Sequence, residues 1–435
     1  MRSTAALLVV CLALVRAAAA AQDLSPAERQ GIVARAWSGA SYVFAYWDRV
    51  RADWDSALTA TLAAAARPQT DVDFLRRMRR FVALLEHGQT ELLPAGNARD
   101  RTARPPLQIV SVERRPFILD YAENDEMRVA RPERNAEIVG VQGMPVERWI
   151  GDSVLPLVSG TGVEDRWRRA VAMMLEGPRG TAVHLLLRLP DGATRGASVT
   201  RSVPLGARWP LEPRSLEVDT LPDRSVLVRL NNFDDPDLVR DFDRAFPDFR
   251  GVRGLVLDLR SNGSAASATG YAVLARLVSR PFVTVRWRTP QFRASDLGDE
   301  TSPVGGAWHV NRPDTVRPRA DRPAYAGPVA ALAGGATADA GEDFLVALRN
   351  AGRGPIIGDP TAGHSGRAVT LSLARGWRLR LCAARHAFPD GSEFVGTGIE
   401  PEQRAPLTVA DLLNGRDAAL ERAREYLSGR AVSGP

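Results

Sequence analysis

The feature that most constrains this chain lies in residues 214–405, where short apolar runs alternate with segments of helical spacing. Val226 to Leu230, Gly254 to Leu259, Val329 to Ala333 and Pro355 to Gly358 read as strands. Helical stretches stand between or after them at Pro236 to Ala245, Ala265 to Val278 and Ala340 to Arg349. Such alternation supplies the crossover helices that parallel neighbours need, so a mostly parallel α/β sheet is expected. In that architecture the loops at the carboxyl ends of the strands form the crevice. Three segments then stand out: Asp258-Leu259-Arg260-Ser261-Asn262-Gly263, the turn from Gly335 to Phe344, and Gly358 to Gly366.

The rest of the chain divides around this block. Residues 1–21 have the parts of a cleaved secretory signal: Arg2, an apolar stretch from Ala5 to Val15, and small residues from Ala17 to Ala21. Residues 25–95 read as a helical domain, opened by the capping box Ser25-Pro26-Ala27-Glu28, with further starts at Asp53 and at Thr70 with Asp73. The aromatic residues Trp37, Tyr42, Phe44, Tyr46, Trp47 and Trp54 read as core of that domain. Residues 105–205 read as β-rich, with strands at Ile109 to Val112, Ala136 to Val141 and Val183 to Leu189. Pro204 to Pro213 looks like a linker, and residues 406–435 hold a last helix from about Asp417 to Leu427 and a tail.

Composition closes off several functions. The chain has 435 residues and 57 basic side chains against 51 acidic ones, and every basic one is arginine. Without lysine, a serine hydrolase with a lysine general base cannot operate. The small positive excess and the lack of an arginine run give no case for nucleic acid. No apolar run long enough to cross a bilayer follows the signal, so no integral membrane segment is expected after cleavage. Signal cleavage also removes Cys11 and leaves Cys382, read as a buried small hydrophobe unable to form an intrachain disulfide. A secreted or periplasmic location follows, with no cofactor implied.

The three loops, in their order and spacing, resemble those of the C-terminal-processing (tail-specific) serine peptidases and the related tricorn core peptidases. Leu85-Glu86-His87-Gly88-Gln89-Thr90, Ile138 to Val146, Phe388-Pro389-Asp390-Gly391 and Gly396 to Pro401 resemble further family motifs. The resemblance implies an α/β multidomain fold: an N-terminal helical domain, a PDZ-like β domain and an α/β core of the crotonase-like ββα kind. It also assigns roles. The family's nucleophilic serine falls at Asp339, and the lysine base of some members at His364. The histidine base of the tricorn type falls at Gln89, with His87 two positions away. The oxyanion loop falls at Gly263, Ser264 and Ala265, and a supporting acid at Glu393. Asp258, Arg260, Asn262, Thr337, Gly341 and Glu342 are expected to serve binding.

Each substitution has a physical consequence. Acyl transfer needs a nucleophile beside a base and donors aimed at the oxyanion. Asp339 is expected to stay ionised at a helix N-terminus, where the dipole favours negative charge. Three readings of it stay open: a capping carboxylate in a decayed site, a nucleophile or acid/base group paired with His364, or a metal ligand with His87, His364 and Asp359. Thr337 and Ser365 carry hydroxyls nearby, read as capping or turn groups. The leading expectation is a protein that binds an extended peptide or unfolded protein segment without efficient serine-type cleavage. An active hydrolase using Asp339 and His364 is the alternative.

Overall fold

Three helices come first among the described residues, and each begins where its capping side chain stands. The computed structural model describes residues 23–291 and 307–429 apart from Arg131, Arg208, Leu211 and Arg322, so the expected signal and Cys11 lie outside the described residues. Ser25 accepts from the Glu28 N–H and Glu28 from the Ser25 N–H, starting α1 (Pro26–Val43). Asp53 caps α2 (Trp54–Ala65), and Thr70 caps α3 (Asp71–Ala83). Phe44, Tyr46 and Trp54 are buried, and Trp54 stacks on Phe81 with ring centroids 4.3 Å apart. Tyr42 departs from the aromatic reading, being 52% exposed. A short strand, β1 (Glu91–Leu93), follows.

An antiparallel sheet comes next, with β2 (Leu107–Val112), β3 (Arg115–Tyr121), β4 (Glu137–Val141), β5 (Ala182–Arg188) and β6 (Thr194–Thr200) paired in that order. Strand β5 alternates exposed and buried residues along its length, the mark of a sheet covered on one face. What covers it is a helix that the β-rich reading did not foresee, α4 (Gly162–Met173). Its Trp167, Ala170 and Val171 share a core with Ile118, Ile138, Val183 and Leu187.

The main elements that follow are β7 (Leu216–Thr220), β8 (Val226–Leu230), α5 (Leu238–Ala245), β9 (Leu255–Asp258), α6 (Ser267–Leu274), β10 (Arg286–Gln291), β11 (Ala307–Asn311), β12 (Val329–Ala333), α7 (Ala340–Asn350), β13 (Ile356–Gly358), β14 (Gly366–Ser372), β15 (Arg378–Ala387), β16 (Gln403–Arg404) and α8 (Ala418–Gly429). The central sheet runs β7-β8-β9-β12-β13-β16 and is parallel except at β7. Strands β9 and β12 are buried at every residue because both faces are covered. Val228, Leu255, Leu257 and Ala331 face α6 and α7, while Leu227, Val256, Ala330 and Leu332 face Ala419, Ala423 and Leu427 of α8. A second sheet, β1-β15-β10-β11 with β14 also paired antiparallel to β15, packs beside it.

Two expectations need correction. The N-terminal helices do not keep a core of their own: Ile32, Val33, Phe74 and Met78 belong to the same apolar cluster as β8, β9, α6, α7 and β15. Helix α6 begins at Ser267 rather than Ala265, because the Ala265 and Ala266 N–H groups donate to Asp234 at 2.9 and 2.8 Å instead of entering a helix.

Candidate functional site

The carboxyl ends of β9, β12 and β13 release three loops that are stitched to one another by backbone bonds. Ala338 N–H donates to the Asn262 carbonyl at 2.9 Å, Ala340 N–H to the Ser264 carbonyl at 2.8 Å, and Ala362 N–H to the Thr337 carbonyl at 2.9 Å. The crevice expected from strand order is therefore real, and a cleft of about 370 Å³ opens there, lined by Gly263, Asp339 and His364 among others.

Asp339 sits just before α7 with φ 49° and ψ −117°, a strained conformation for a non-glycine residue. Such a kink between a strand and a helix is how a nucleophile is lifted out of a sheet. The side chain, however, is a carboxyl group 6% exposed, and it does not cap its helix. Its Oδ1 accepts from the Gln89 amide, which also donates to the Gly366 carbonyl at 3.0 Å. Burial, reinforced by the nearby Glu342, pushes Asp339 well above the ordinary carboxylate range. The expected ionised cap is overturned for that reason: the kinked backbone turns the side chain away from the helix amides.

His364 is held on three sides. Its Nδ1 faces Asp165 Oδ2 at 3.6 Å, its Nε2 faces an Arg169 nitrogen at 3.3 Å, and Asp339 Oδ2 lies 4.0 Å from the same Nε2. Burial first, and then the neighbouring guanidinium of Arg169, lower His364 below the usual histidine value despite the pull of Asp165. A neutral ring with Arg169 donating to Nε2 carries its proton on Nδ1. Asp165 itself is held low, since His364, Arg169 and Arg168 outweigh the effect of its burial. At 4.0 Å, His364 and Asp339 are neighbours without a hydrogen bond.

The oxyanion loop is largely engaged. Gly263 lines the cleft, but the Ser264 N–H donates to Asn262 Oδ1 at 3.2 Å and the next two amides to Asp234. The Ser264 hydroxyl accepts from the Phe233 N–H at 2.7 Å, within the core.

The six residues expected to bind ligand hold the loops instead. Arg260 bridges two carboxylates, pairing with Asp258 at 2.7 Å and with Asp417, just before α8, at 2.9 Å. Asn262 donates to the Leu230 carbonyl at 2.7 Å, and Thr337 to the Leu259 carbonyl at 2.9 Å. Gly341 passes so close that a Cβ there would lie 2.6 Å from the Asn262 carbonyl oxygen. Glu342, fully buried, accepts from Thr361 Oγ1, from the Gly363 N–H at 2.7 Å and from the His364 N–H at 3.2 Å.

The remaining candidates stand apart from the cleft. His87 is a neutral core histidine packed against Tyr46, with ring centroids 4.6 Å apart and planes tilted by 31°, and its pKa is lowered by burial. Glu393 pairs with Arg49 and Arg288 at 2.9 Å each. Asp359 lines a different cleft, beside Thr397 and Glu400. Among the described residues no three His, Cys, Asp or Glu side chains converge as a metal-binding set. Ser365 is not a turn hydroxyl, as was expected: it donates to Asp343 Oδ1 at 2.6 Å, with His386 Nδ1 2.9 Å away. All three are buried, Asp343 on α7 itself, and a hydroxyl whose proton goes to a carboxylate is not activated by the imidazole. Cys382 is fully buried, with its thiol pushed up by burial.

Asp165 with its arginine partners Arg168 and Arg169, and Asp234, escaped the sequence reading. Asp165 stands on α4, in a Glu-Asp-Arg-Trp-Arg-Arg stretch whose helical spacing was legible. Asp234 follows β8, where the rule about carboxyl ends of parallel strands would have pointed.

Residues 224–405 match the model of peptidase family S41. Over 259 residues the chain is 26% identical to a chloroplastic C-terminal processing peptidase of Tetradesmus obliquus, a match covering 57% of this chain and 51%, about half, of that protein. Mature CPAF complexed with lactacystin has the same fold, with a TM-score of 0.71 at 15% identity over 93% of this chain and 97% of that one. The photosystem II D1 C-terminal processing protease gives 0.51 at 19% identity over 90% and 98%.

Proposed function

From a chain that resembles the C-terminal-processing peptidases, with an S41 core at residues 224–405, we infer a peptidase-like protein that holds an extended peptide or protein terminus and does not cleave it by a serine mechanism. The observation that carries this reading is Asp339: at the kinked position before α7 stands a buried carboxyl group bound to Gln89. The neighbouring base is occupied too, because Arg169 faces the His364 nitrogen that would have to accept a proton. Loss of a nucleophile alone costs about a millionfold in rate. The alternative of a hydrolase built on Asp339 and His364 finds less support, since both groups are biased towards neutrality and stand 4.0 Å apart.

The PDZ-like reading of residues 105–205 belongs to the same proposal. Strand β2 is an edge of its sheet, and a second cleft of about 550 Å³ runs from Ser111 and Glu113 beside it to Thr361 and Ala362 of the core loops. An extended segment can add to such an edge. Delivery outside the cytoplasm, by a signal at residues 1–21, is also proposed. Among the described residues no helix is long and apolar enough to cross a membrane.

The test is to incubate the purified chain with unfolded polypeptides and, in parallel, to titrate peptides calorimetrically. Binding without turnover is expected, and Asp339→Ala is expected to leave binding in place. Cleavage that disappears in Asp339→Ala would overturn the reading.

A further inference from the structure

The cleft at Asp339 is unbalanced in charge. Arg79 of α3, Arg168 and Arg169 of α4 and Arg380 of β15 all line it. Arg79 meets Glu176 at 2.7 Å, Arg168 and Arg169 both meet Asp165 at 2.6 and 2.9 Å, and Arg380 meets Glu91 at 3.4 Å. Four guanidinium groups thus share three carboxylates. The remaining carboxyl at the cleft, Asp339, is spent on Gln89 and crowded from behind by Glu342 and Asp343 of its own helix.

Donors are also left over. The Nε–H of Arg168 is buried with no acceptor among the described residues, and the buried Thr90 hydroxyl in the same lining has no partner there either. Unsatisfied polar atoms inside a protein are costly, and two of them on residues that line one cleft mark a place for a ligand that accepts hydrogen bonds. A planar guanidinium edge matches a carboxylate with two parallel bonds.

We propose that this cleft receives a carboxylate of the bound peptide, with Arg168 as its main partner and Arg79 and Arg380 supplying the surrounding charge. The inference deepens the peptide-binding reading above and rests on it. A peptide offers this group in two forms, the chain-terminal carboxylate and an aspartate or glutamate side chain.

Calorimetry on the signal-free chain separates the cases. One peptide is compared with its C-terminal amide, and a glutamate-containing amidated peptide with its glutamine counterpart. At least tenfold tighter binding is expected for one carboxylate form over its neutral partner, and the pair that shows it identifies the source. Arg168→Gln is expected to abolish that preference, so that the charged and neutral forms bind the variant equally. Arg168→Lys, which keeps the charge and loses the fork, is expected to retain part of it. If neutral and charged peptides bind wild-type protein equally, the carboxylate site is refuted and the peptide-binding reading survives. If no peptide binds at all, both fall. Should Arg168→Gln not fold, the wild-type comparison still decides.

Discussion

A carboxylate at a helix N-terminus ordinarily finds amides to accept from, and Asp339 does not because its positive φ turns the side chain away from them into a buried wall. The sequence located this residue through its neighbours in the Thr-Ala-Asp-Ala-Gly-Glu turn but misjudged its charge, since burial and the identity of facing groups are set by distant parts of the chain. The same holds for Glu342, which burial pushes up to about 7 from an ordinary 4.5. The folded chain therefore keeps a proton there that the unfolded chain releases near pH 4.5. The stabilisation this gives is complete below pH 4.5 and is lost as pH rises through 7, a change of roughly 3 kcal/mol. Glu342→Gln removes that slope, so urea unfolding at pH 5 and pH 8 is expected to show the wild type losing more stability than the variant. Equal losses would mean that Glu342 is already charged in the folded chain at pH 5. His364 gives a second handle. Arg169 and Asp165 pull its titration in opposite directions, so Arg169→Gln should raise its pKa and Asp165→Asn should lower it further, both read from the imidazole proton resonances. Asp165→Asn is also expected to destabilise the fold by about 1–3 kcal/mol, because it takes a buried carboxylate away from two partly buried guanidinium groups.

At the scale of elements, the strands of the central sheet were readable because full burial on both faces leaves an uninterrupted apolar run. The capping boxes and N-caps of α1, α2 and α3 were readable because they depend on residues only three apart. Helix α4 was missed although its periodicity is ordinary, because strands flank it on both sides in sequence and the block was read as a whole. The consequence reached the site, since Asp165 and the cleft arginines Arg168 and Arg169 all ride on α4. Helix α6 was drawn too long because the carboxylate that holds its first two amides, Asp234, comes from the loop after another strand. Where α7 docks on the loop after β9, the close approach at Gly341 has no slack: a methyl group would sit 2.6 Å from the Asn262 carbonyl and 3.2 Å from a Thr337 carbon. Gly341→Ala is expected to push α7 off the loop, costing about 1–3 kcal/mol of stability. Thermal unfolding checks this, and an unchanged midpoint would show that the helix can shift without loss.

At the scale of the whole molecule, the cleft is a junction to which α3 brings Arg79, α4 brings Arg168 and Arg169, and the central sheet brings Asp339 and His364. The junction is also tied by backbone: the Gly88 N–H donates to Thr161 Oγ1 at 2.7 Å, and Ser159 Oγ donates to the His87 carbonyl at 2.9 Å. The three parts are not equally independent. Sheet β2–β6 and α4 enclose their own apolar cluster, whereas α1, α2 and α3 bury their faces in the cluster that also holds β8, β9, α6 and α7. Helices without a separate core have no free energy of their own with which to stay folded once the central sheet opens. Native-state hydrogen exchange is therefore expected to give amides in α1 and α3 the same opening free energy as those in β9 and β12, while β4 and β5 open at a different value. If α1 and α3 exchanged several kcal/mol more easily than β9, the shared core would not be a cooperative unit, and the wall that presents Arg79 to the cleft would be free to move independently of Asp339.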